Sequence, residues 1–434
     1  MSTLLRLATA GSVDDGKSTL VGRLLYDSKA VLSDQLESVE RISRDKGLDS
    51  ADLALLTDGL RAEREQGITI DVAYRYFATA HRTFILADCP GHVQYTRNTV
   101  TGASTADVVV LLIDARKGLL EQTRRHLAVL SLLRVPHVVV AVNKIDLVDY
   151  SQERFEELQA DISEAAHDLG ITSITAIPVS ALEGVNVVDK SEKTAWYDGP
   201  ALLEFLEQLP AGEPVSTESF RFPVQLVIRP QSAAGTDYRD YRGYAGQVAS
   251  GTIKVGDKVT VLPSGITTSV AGIDFFGRSL PQAVQGQSVT VRLDNDVDLT
   301  RGDVIVSAHD APEATQDIDG TIAWLAEKPL RPGTKVLIKH TTRVVQALVR
   351  EVHGRLDLTT ASQVPAQELE LNDIGGVTLR LAQGVAAEEY AQSRATGSFL
   401  LIDPANGYTL AAGMVGNALL GSVQPETRPL QYTI

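Results

Sequence analysis

The sequence has very little of what disulfide-bonded, metal-clustered or membrane-spanning proteins need. Cys89 is the only cysteine among 434 residues, so an intrachain disulfide and a cysteine-based metal cluster are excluded. The longest apolar runs, such as residues 108–113, are far too short to span a bilayer. Arg6 interrupts the apolar run at the N-terminus, which does not fit a secretory signal. We therefore expect a cytoplasmic protein with no membrane partner.

Positive charge is also scarce. The chain has 40 Lys and Arg against 55 Asp and Glu, a formal net charge of −15 at pH 7. Affinity for nucleic acid rests largely on neutralising phosphates with basic side chains, so nucleic acid is not expected as the main partner. The length and a hydrophobic share of 44% suit a globular protein of about three domains.

Residues 11–19 read GSVDDGKST and match the phosphate-binding pattern G-x-x-x-x-G-K-[ST] between a predicted strand and a predicted helix. Gly11 and Gly16 allow the backbone to curl with its N–H groups turned inward toward an anion. Lys17 is expected to reach the β- and γ-phosphates, and the Ser18 hydroxyl to bind Mg²⁺. The alternative is a glycine-rich hairpin that binds nothing. The residues expected around the phosphates are Gly11, Ser12, Val13, Asp14, Asp15, Gly16, Lys17, Ser18 and Thr19.

A second segment, DCPGH at residues 88–92, follows a predicted strand at residues 83–87. Asp88 is expected to contact Mg²⁺ directly or through water, because it ends a strand that faces the phosphate loop. Gly91 would offer its N–H to the γ-phosphate at a point where a side chain would collide. The nucleotide contacts expected in this segment are Asp88, Cys89, Pro90, Gly91 and His92.

The segment NKID at residues 143–146 follows the predicted strand at residues 137–142. The Asp146 carboxylate can accept both N1–H and N2–H of guanine, and adenine offers neither in that geometry, so GTP rather than ATP is predicted. Residues 180–182 close the next strand and would give guanine O6 a backbone N–H. The expected base contacts are Asn143, Lys144, Ile145, Asp146, Ser180, Ala181 and Leu182.

Residues 63–70, EREQGITI, lie between the phosphate loop and Asp88, where a nucleotide-sensing switch would sit. Thr69 is the candidate hydroxyl ligand of Mg²⁺, ordered by the γ-phosphate and released on hydrolysis. An exposed charged helix followed by a strand start is the alternative interpretation. The predicted Mg²⁺ ligands are therefore Ser18, Thr69 and Asp88.

Alternating strand and helix patterns up to about residue 210 predict an α/β P-loop GTPase domain, with a mostly parallel sheet and helices on both faces. One helix is predicted from an N-cap at Ser151 to a stop at Gly170, and residues 189–196 are predicted to be a solvated loop. Ligands bind at the carboxyl ends of strands in such a sheet, and every motif above falls at such an end.

After a linker at residues 209–215, the pattern changes to short strands separated by turns, which predicts β-barrel structure. One of these strands is predicted at residues 246–255. The predicted domains are a GTP-binding G domain at 1–210 and two β-barrel domains, II at 216–310 and III at 315–434.

With these motifs in order, the chain resembles the translation-factor family of GTPases, whose members carry a G domain followed by two β-barrels. The loop GSVDDGK, in place of the GHVDHGK usual in relatives that deliver aminoacyl-tRNA, is most similar to the large subunits of bacterial sulfate adenylyltransferase (ATP sulfurylase). The segments that share this likeness read LLYDS (24–28), DGLRAEREQGITID (58–71), DCPGHVQYTRN (88–98) and RATGSF (394–399).

The resemblance implies a hetero-oligomer in which a smaller partner chain makes adenylyl sulfate from ATP and sulfate. The large subunit would hydrolyse GTP to GDP, with Mg²⁺, to drive that unfavourable synthesis in sulfate assimilation. Some relatives carry a fused adenylylsulfate kinase, and no second phosphate loop follows here, so that activity is not expected.

The resemblance also implies residue roles. His92 would position the attacking water, either as a base or only as a hydrogen-bond partner, and Asp14 would help to hold a monovalent cation near the phosphates. Val13 and Ile68 would form an apolar gate beside the path of the water. The residues expected to act in hydrolysis are His92, Lys17, Asp14 and Thr69.

Two other functions fit the motifs. One is a factor that delivers aminoacyl-tRNA to the ribosome, and the other is a GTP-gated scaffold with slow hydrolysis. The acidic net charge, Asp15 in place of the usual histidine and the presence of Cys89 favour the sulfate adenylyltransferase interpretation.

Overall fold

The computed structural model describes residues 3–29, 72–92, 96–210, 219–230, 240–358 and 360–416, together with 31, 36, 37, 39, 41, 43, 44 and 53–56. Thr69 and Ile68 lie outside the described residues, as does most of the segment at 31–56. The chain divides into two compact units. Residues 1–212 make up most of the first unit, and the barrels make up the second.

The first unit is built on a six-stranded sheet in the order β2-β3-β1-β4-β5-β6. Neighbouring strands are parallel except for β2, which pairs antiparallel with β3. All seven residues of β4 are buried, as expected for a strand covered on both faces. The strands are β1 (Thr3–Gly11), β2 (Ala73–Ala78), β3 (Arg82–Asp88), β4 (Val108–Asp114), β5 (His137–Asn143) and β6 (Ile174–Pro178).

Helices cover this sheet. Side chains of β4 at 108, 110 and 112 share one core with the first and last helices of the unit, and those at 109, 111 and 113 are buried on the opposite face. The α/β fold with helices on both faces is therefore confirmed. The helices are α1 (Lys17–Asp27), α2 (Thr96–Ala103), α3 (Glu121–Leu132), α4 (Gln152–Asp168) and α5 (Leu202–Gln208).

The boundaries of α4 follow from its sequence. The Ser151 side chain accepts a hydrogen bond from the Arg154 N–H at 3.2 Å, which caps the first turn. Phe155, Leu158 and Ile162 are buried on one face, and Gly170 has a φ of +71° just beyond the helix. The predicted start and stop of this helix are confirmed.

The predicted solvated loop at residues 189–196 is right in part, because residues 189, 190, 192, 193 and 195 are exposed, whereas Thr194 is buried. Residues Glu192–Thr194 form a 3₁₀-helix, and the Trp196 ring packs 5.4 Å from the Phe155 ring. The Trp196 indole N–H donates to the Tyr150 carbonyl at 2.9 Å. A single aromatic anchor leaves no periodic pattern in the sequence, which is why the packing was not predicted.

The first part of the second unit is a closed barrel of six strands in the order β10-β15-β7-β8-β14-β11, with β10 and β11 paired to close it. The single strand predicted at residues 246–255 is wrong. A turn with Gly251 at a φ of +70° separates β8 from β9, which pairs with β13 in a separate small sheet. The strands are β7 (Arg221–Ile228), β8 (Gly243–Gln247), β9 (Thr252–Lys254), β10 (Lys258–Leu262), β11 (Ile266–Phe275), β12 (Arg278–Leu280), β13 (Gln282–Val284), β14 (Ser288–Leu293) and β15 (Val304–Ser307).

The rest of the second unit is another closed barrel of six strands, in the order β17-β21-β22-β16-β20-β18, closed by pairing of β17 with β18. The two predicted barrels are thus present, whereas their exact boundaries at 216–310 and 315–434 stay predictions. The elements are β16 (Thr315–Trp324), β17 (Lys335–His340), β18 (Arg343–Asp357), β19 (Ser362–Val364), β20 (Ile374–Val385), α6 (Arg394–Gly397), β21 (Ser398–Ile402) and β22 (Thr409–Val415).

Within the part of the chain that the structure describes, no helix combines the length and the apolar character needed to cross a membrane.

A buried ion pair joins the two barrels of the second unit. The guanidinium of Arg221, on β7, donates to both carboxylate oxygens of Glu388 at 2.9 and 2.8 Å. The Thr396 hydroxyl donates to the same carboxylate at 2.7 Å, and Asp310 lies 3.3 Å from the guanidinium. The Arg221 side chain is only 4% exposed, so water cannot replace a lost partner.

We expect Glu388→Gln to destabilise the second unit, because it leaves the buried Arg221 guanidinium without its main counter-charge. The loss in free energy of unfolding should be about 3 kcal/mol, the lower end for a broken buried pair. Urea unfolding of the full chain measures it. The matched control Arg331→Gln breaks the exposed pair with Glu368, and it should leave the urea midpoint almost unchanged because solvent screens that pair. Equal midpoints for both variants would contradict the prediction.

Candidate nucleotide-binding site

The phosphate loop has the left-handed backbone that its glycines allow. Gly11 ends β1 with a φ of +145°, and Gly16 precedes α1 with a φ of +95°. A Cβ on Gly11 would lie 2.9 Å from the Leu112 carbonyl oxygen, and one on Gly16 would lie 2.3 Å from Nδ2 of Asn143. Both positions therefore exclude any side chain, and the loop lies directly against the ends of β4 and β5.

Lys17 is held at the centre of this loop. Its Nζ donates to the carbonyl oxygens of Gly11 at 2.9 Å and Ser12 at 2.8 Å. Burial lowers the pKa of Lys17, and the negative charges of Asp15 and Asp88 oppose that shift. An ammonium group has three N–H donors, so one remains for an anion.

Asp15 folds back onto its own loop. Its carboxylate accepts a hydrogen bond from the Ser12 N–H at 2.8 Å. Burial raises the pKa of Asp15, whereas the Ser12 N–H and the charge of Lys17 lower it. The residue that replaces the usual histidine therefore stabilises the loop and is buried, so its side chain does not face solvent.

The end of β3 lies against the same loop. The Asp88 carboxylate is buried and accepts a hydrogen bond from the Thr9 hydroxyl at 2.8 Å. A Cβ on Gly91 would lie 2.3 Å from Lys17 Nζ and 2.8 Å from the Gly11 carbonyl oxygen. A side chain at residue 91 would therefore collide with its neighbours, as predicted. The nearest neighbouring atom in this structure is Nζ of Lys17.

Cys89 is fully buried next to Asp88. Burial raises the pKa of its thiol well above the usual range. A Cβ on Gly102 would lie 2.4 Å from Cys89 Sγ, so the thiol packs tightly against α2. Cys89 therefore has a packing role at this site.

The Asn143 side chain connects the loop to the ends of β5 and β6. Its Nδ2 donates to the Asp15 carbonyl at 2.7 Å, and its Oδ1 accepts from the Ala181 N–H at 2.9 Å. The Ala181 amide is therefore engaged with Asn143. Within the described residues, the neighbouring Leu182 N–H is the amide of this turn that makes no hydrogen bond.

Lys144 and Asp146 follow Asn143 at the same edge of the sheet. Lys144, in a left-handed conformation with a φ of +61°, donates through Nζ to the Asp14 carbonyl. Its Nζ also lies 3.1 Å from the carboxylate of Asp114, at the end of β4. Among the residues that the structure describes, the Asp146 carboxylate makes no hydrogen bond or ion pair.

Four residues at this site were not singled out from the sequence. Thr9 holds Asp88, and Arg23 of α1 donates through Nε to the Ala181 carbonyl at 3.2 Å. Asp114 ends the buried strand β4, and Arg116 lies two residues beyond it. Asp114 and Arg116 could have been found as polar residues at the end of a strand, which is the signal that identified the other motifs. They were missed because they belong to none of the motifs used.

His126 of α3 lies fully buried near the loop. Burial lowers the pKa of His126 to about 3, so its ring is neutral at pH 7. Its Nε2 lies 3.2 Å from Nε2 of Gln122 on the same helix. A lone histidine within an amphipathic helix gives no sequence motif, so this residue also escaped prediction.

The structure leaves several predicted roles as predictions. His92 follows Gly91 and is partly buried, and its role toward a water stays a prediction. Asp14 is exposed with a φ of +66°, and the proposed monovalent cation stays a prediction. Thr69 lies outside the described residues. No group of three or more His, Cys, Asp or Glu within the described ranges could hold a metal ion by itself.

Two protein-family models match the chain. The model of the elongation factor Tu GTP-binding domain matches residues 2–211, and that of the GTP-eEF1A C-terminal domain-like family matches residues 317–416. A solved structure of sup35 complexed with GMPPNP is 26% identical and covers 96% of this chain and 94% of its own, with a TM-score of 0.43.

Two curated relatives match almost the whole chain. The bifunctional enzyme CysN/CysC of Mycobacterium tuberculosis (strain ATCC 25618 / H37Rv) is 53% identical over 417 residues, which are 96% of this chain and 67% of that protein. Sulfate adenylyltransferase subunit 1 of Cellvibrio japonicus (strain Ueda107) is 48% identical over 432 residues, 99% of this chain and 89% of that protein. The chain therefore belongs to the family of sulfate adenylyltransferase subunit 1.

Proposed function

We propose that this chain is the GTPase subunit of a two-subunit sulfate adenylyltransferase. It hydrolyses GTP, and the energy drives synthesis of adenylyl sulfate from ATP and sulfate on a smaller catalytic subunit. The observation that carries the proposal is the convergence of Gly91, Asn143 and Lys144 on the phosphate loop, in a chain 48% identical to sulfate adenylyltransferase subunit 1 of Cellvibrio japonicus. A cytoplasmic location stays a prediction.

The phosphates of GTP would lie on the loop at residues 11–19. Lys17 is already positioned by two carbonyl oxygens, so its remaining N–H can meet a phosphate oxygen with little reorganisation. No side chain caps the start of α1, so its first N–H groups would be available to the same anion and would add the positive end of the helix dipole.

The residues present also fit Mg²⁺. The cation prefers oxygen ligands and usually takes one or two from the protein, with the rest from phosphates and water. The Ser18 hydroxyl and the Asp88 carboxylate are such ligands next to the loop, and Thr69 would add a third. When bound, Mg²⁺ supplies charge neutralisation at the β- and γ-phosphate oxygens. Thr9 keeps the Asp88 carboxylate oriented for this role.

The base of GTP would be recognised by Asp146. Its carboxylate is free within the described residues, and it can accept the two parallel N–H groups on one edge of guanine. Asn143 is fixed by its bonds to Asp15 and Ala181, and Leu182 would supply the N–H for guanine O6. His92 would orient the attacking water from its place beside Gly91, as base or as hydrogen-bond partner.

The alternative function, delivery of aminoacyl-tRNA to the ribosome, has less support. The near full-length relatives carry sulfate adenylyltransferase names. A net charge of −15 also offers little electrostatic attraction for tRNA.

The proposal is tested by measuring GTP turnover of the purified chain with a candidate adenylyltransferase partner, ATP and sulfate. We expect faster turnover and adenylyl sulfate formation that depends on GTP. The chain with Lys17→Ala serves as the control for contaminating GTPases. Separate assays contain ribosomes and aminoacyl-tRNA, and stimulation only in these assays would reject the proposal.

Gly91→Ala should weaken GTP binding about tenfold, the effect of forcing a methyl group into a filled space. The added Cβ would displace Lys17 Nζ or the Gly11 carbonyl, at 2.3 and 2.8 Å. Fluorescent nucleotide titration with Mg²⁺ measures the affinity. Gly384→Ala is the matched control, because its Cβ meets nothing closer than 3.4 Å. If Gly91→Ala bound GTP with wild-type affinity, the close packing around Gly91 would not be part of the nucleotide site.

Asp146→Asn should move the preference from GTP toward xanthosine triphosphate. The change converts a pair of acceptors into one acceptor and one donor, and xanthine carries an oxygen where guanine has its 2-amino group. GTP affinity should fall by about a hundredfold, the upper end for the loss of a hydrogen bond to a charged group. Competition titration with both nucleotides measures the ratio, and unchanged selectivity would remove Asp146 from the base site.

A further inference from the structure

Asp114 and Arg116 form a polar pair beside the base site that the proposed function does not use. Asp114 ends β4, and its side chain is fully buried. The Arg116 guanidinium donates to both of its carboxylate oxygens, through Nε at 3.0 Å and Nη2 at 2.6 Å. The Arg116 backbone N–H donates to the same carboxylate at 3.0 Å. This side-chain fork is the strongest geometry that arginine and a carboxylate can adopt.

The same carboxylate also contacts the base-binding segment. Lys144 Nζ lies 3.1 Å from Asp114 and donates to the Asp14 carbonyl in the phosphate loop. Burial alone would raise the pKa of Asp114, but the contacts with Arg116 and Lys144 hold that pKa well below its usual range. One buried charge thus balances two cations at the edge of the base site.

The position of Arg116 raises a problem for guanine recognition. The segments that carry Arg116 and Asp146 lie side by side, because Asp114 pairs with Asn143 in the sheet and the Ala115 N–H donates to the Asn143 carbonyl at 2.8 Å. The hydrogen bonds and charge of Asp114 raise the pKa of Arg116, and the charge of Asp146 adds a smaller effect in the same direction. A guanidinium presents two parallel N–H donors to a carboxylate, as does the N1–H and N2–H edge of guanine. Arg116 therefore carries the same pair of N–H donors as the base, on a segment that pairs with the one leading to Asp146.

The backbone keeps Arg116 in this place. The N–H groups of Lys117 and Gly118 donate to the Asp114 carbonyl at 2.9 and 3.0 Å, which closes a tight turn. Arg154 of α4 donates through Nε to the Ala115 carbonyl at 3.0 Å. Since the turn is fixed on both sides, the direction of the Arg116 side chain depends on which carboxylate it pairs with.

We infer that Asp114 is a positioning residue for guanine selectivity, which retains Arg116 so that the Asp146 carboxylate stays open to the base. The inference rests on the proposed guanine site. Loss of the Asp114 charge lets Arg116 turn to Asp146 and occupy it as an internal competitor. The same loss frees Lys144 from one of its two anchors.

Two variants separate retention of Arg116 from a merely structural role of Asp114. Calorimetric titration with GDP and Mg²⁺ should show about tenfold weaker binding for Asp114→Asn, the scale of one displaced charge-assisted hydrogen bond. The double variant Asp114→Asn/Arg116→Gln should recover most of that loss, because the competitor is gone. A general disturbance of the loop would not be repaired by removing a second side chain. Unchanged binding in the single variant, or a double variant as weak as the single one, overturns the inference.

Ionic strength gives a second readout. The competing pair of Arg116 and Asp146 is partly exposed, so added salt should screen it and improve GDP binding of Asp114→Asn relative to the double variant. A constant ratio of the two affinities between low and high salt counts against internal competition. Arg331→Gln, which breaks an arginine–carboxylate pair in the second unit, should bind GDP like the wild-type chain at every salt concentration.

If Asp114→Asn does not fold, two variants at the half-exposed Arg116 test the inference instead. Arg116→Lys and Arg116→Gln both lose the fork to Asp114, but only lysine keeps a charge that can reach Asp146. The lysine variant should bind GDP about threefold more weakly than the glutamine variant, an effect of the size expected for a weak, exposed ion pair. Equal affinities overturn the inference. Failure of the wild-type chain to bind GDP would instead reject the guanine site itself.

Discussion

The side-chain amide of Asn143 is the contact on which the geometry of the candidate site depends. It donates to the phosphate loop at Asp15 and accepts from the turn after β6 at Ala181, so one buried group fixes three chain segments. An amide has distinct donor and acceptor ends, and these two bonds define its orientation. The backbone of Gly16 approaches it so closely that a side chain there is excluded. The strand ends therefore meet in one arrangement.

The charges around the loop are balanced before any nucleotide arrives. Lys17 is buried among backbone carbonyls, where desolvation lowers its pKa, and Asp15 and Asp88 offset part of that penalty. Lys144 is balanced in the same way by Asp114. Because the donors are already in place, binding an anion requires little reorganisation of the protein, which is the source of strong electrostatic stabilisation in sites of this kind.

The strand-end motifs could be predicted from the sequence because parallel strands present their carboxyl ends at one edge, so local sequence is enough to bring Asp88 and Asn143 together. The cap of α4 and the short strands of the barrels could also be predicted, because each depends on residues that are close together in the sequence. Trp196 and the break at Gly251 were missed because one depends on a single distant aromatic contact and the other on a left-handed turn. Asp114 is also a polar residue at the end of a strand, and it was missed only because it belongs to none of the motifs used.

Selectivity for guanine requires that the recognising carboxylate find no better partner within the protein. An arginine offers the same pair of N–H groups as guanine, and a group held on a short tether competes at an effective concentration on the order of millimolar. A pocket with such a neighbour stays open only if another carboxylate binds the arginine more strongly. Asp114 meets this condition through a fork of two bonds, a backbone N–H and its burial. In the proposed guanine site, the carboxylate of Asp146 would thus depend on a second carboxylate that does not touch the base.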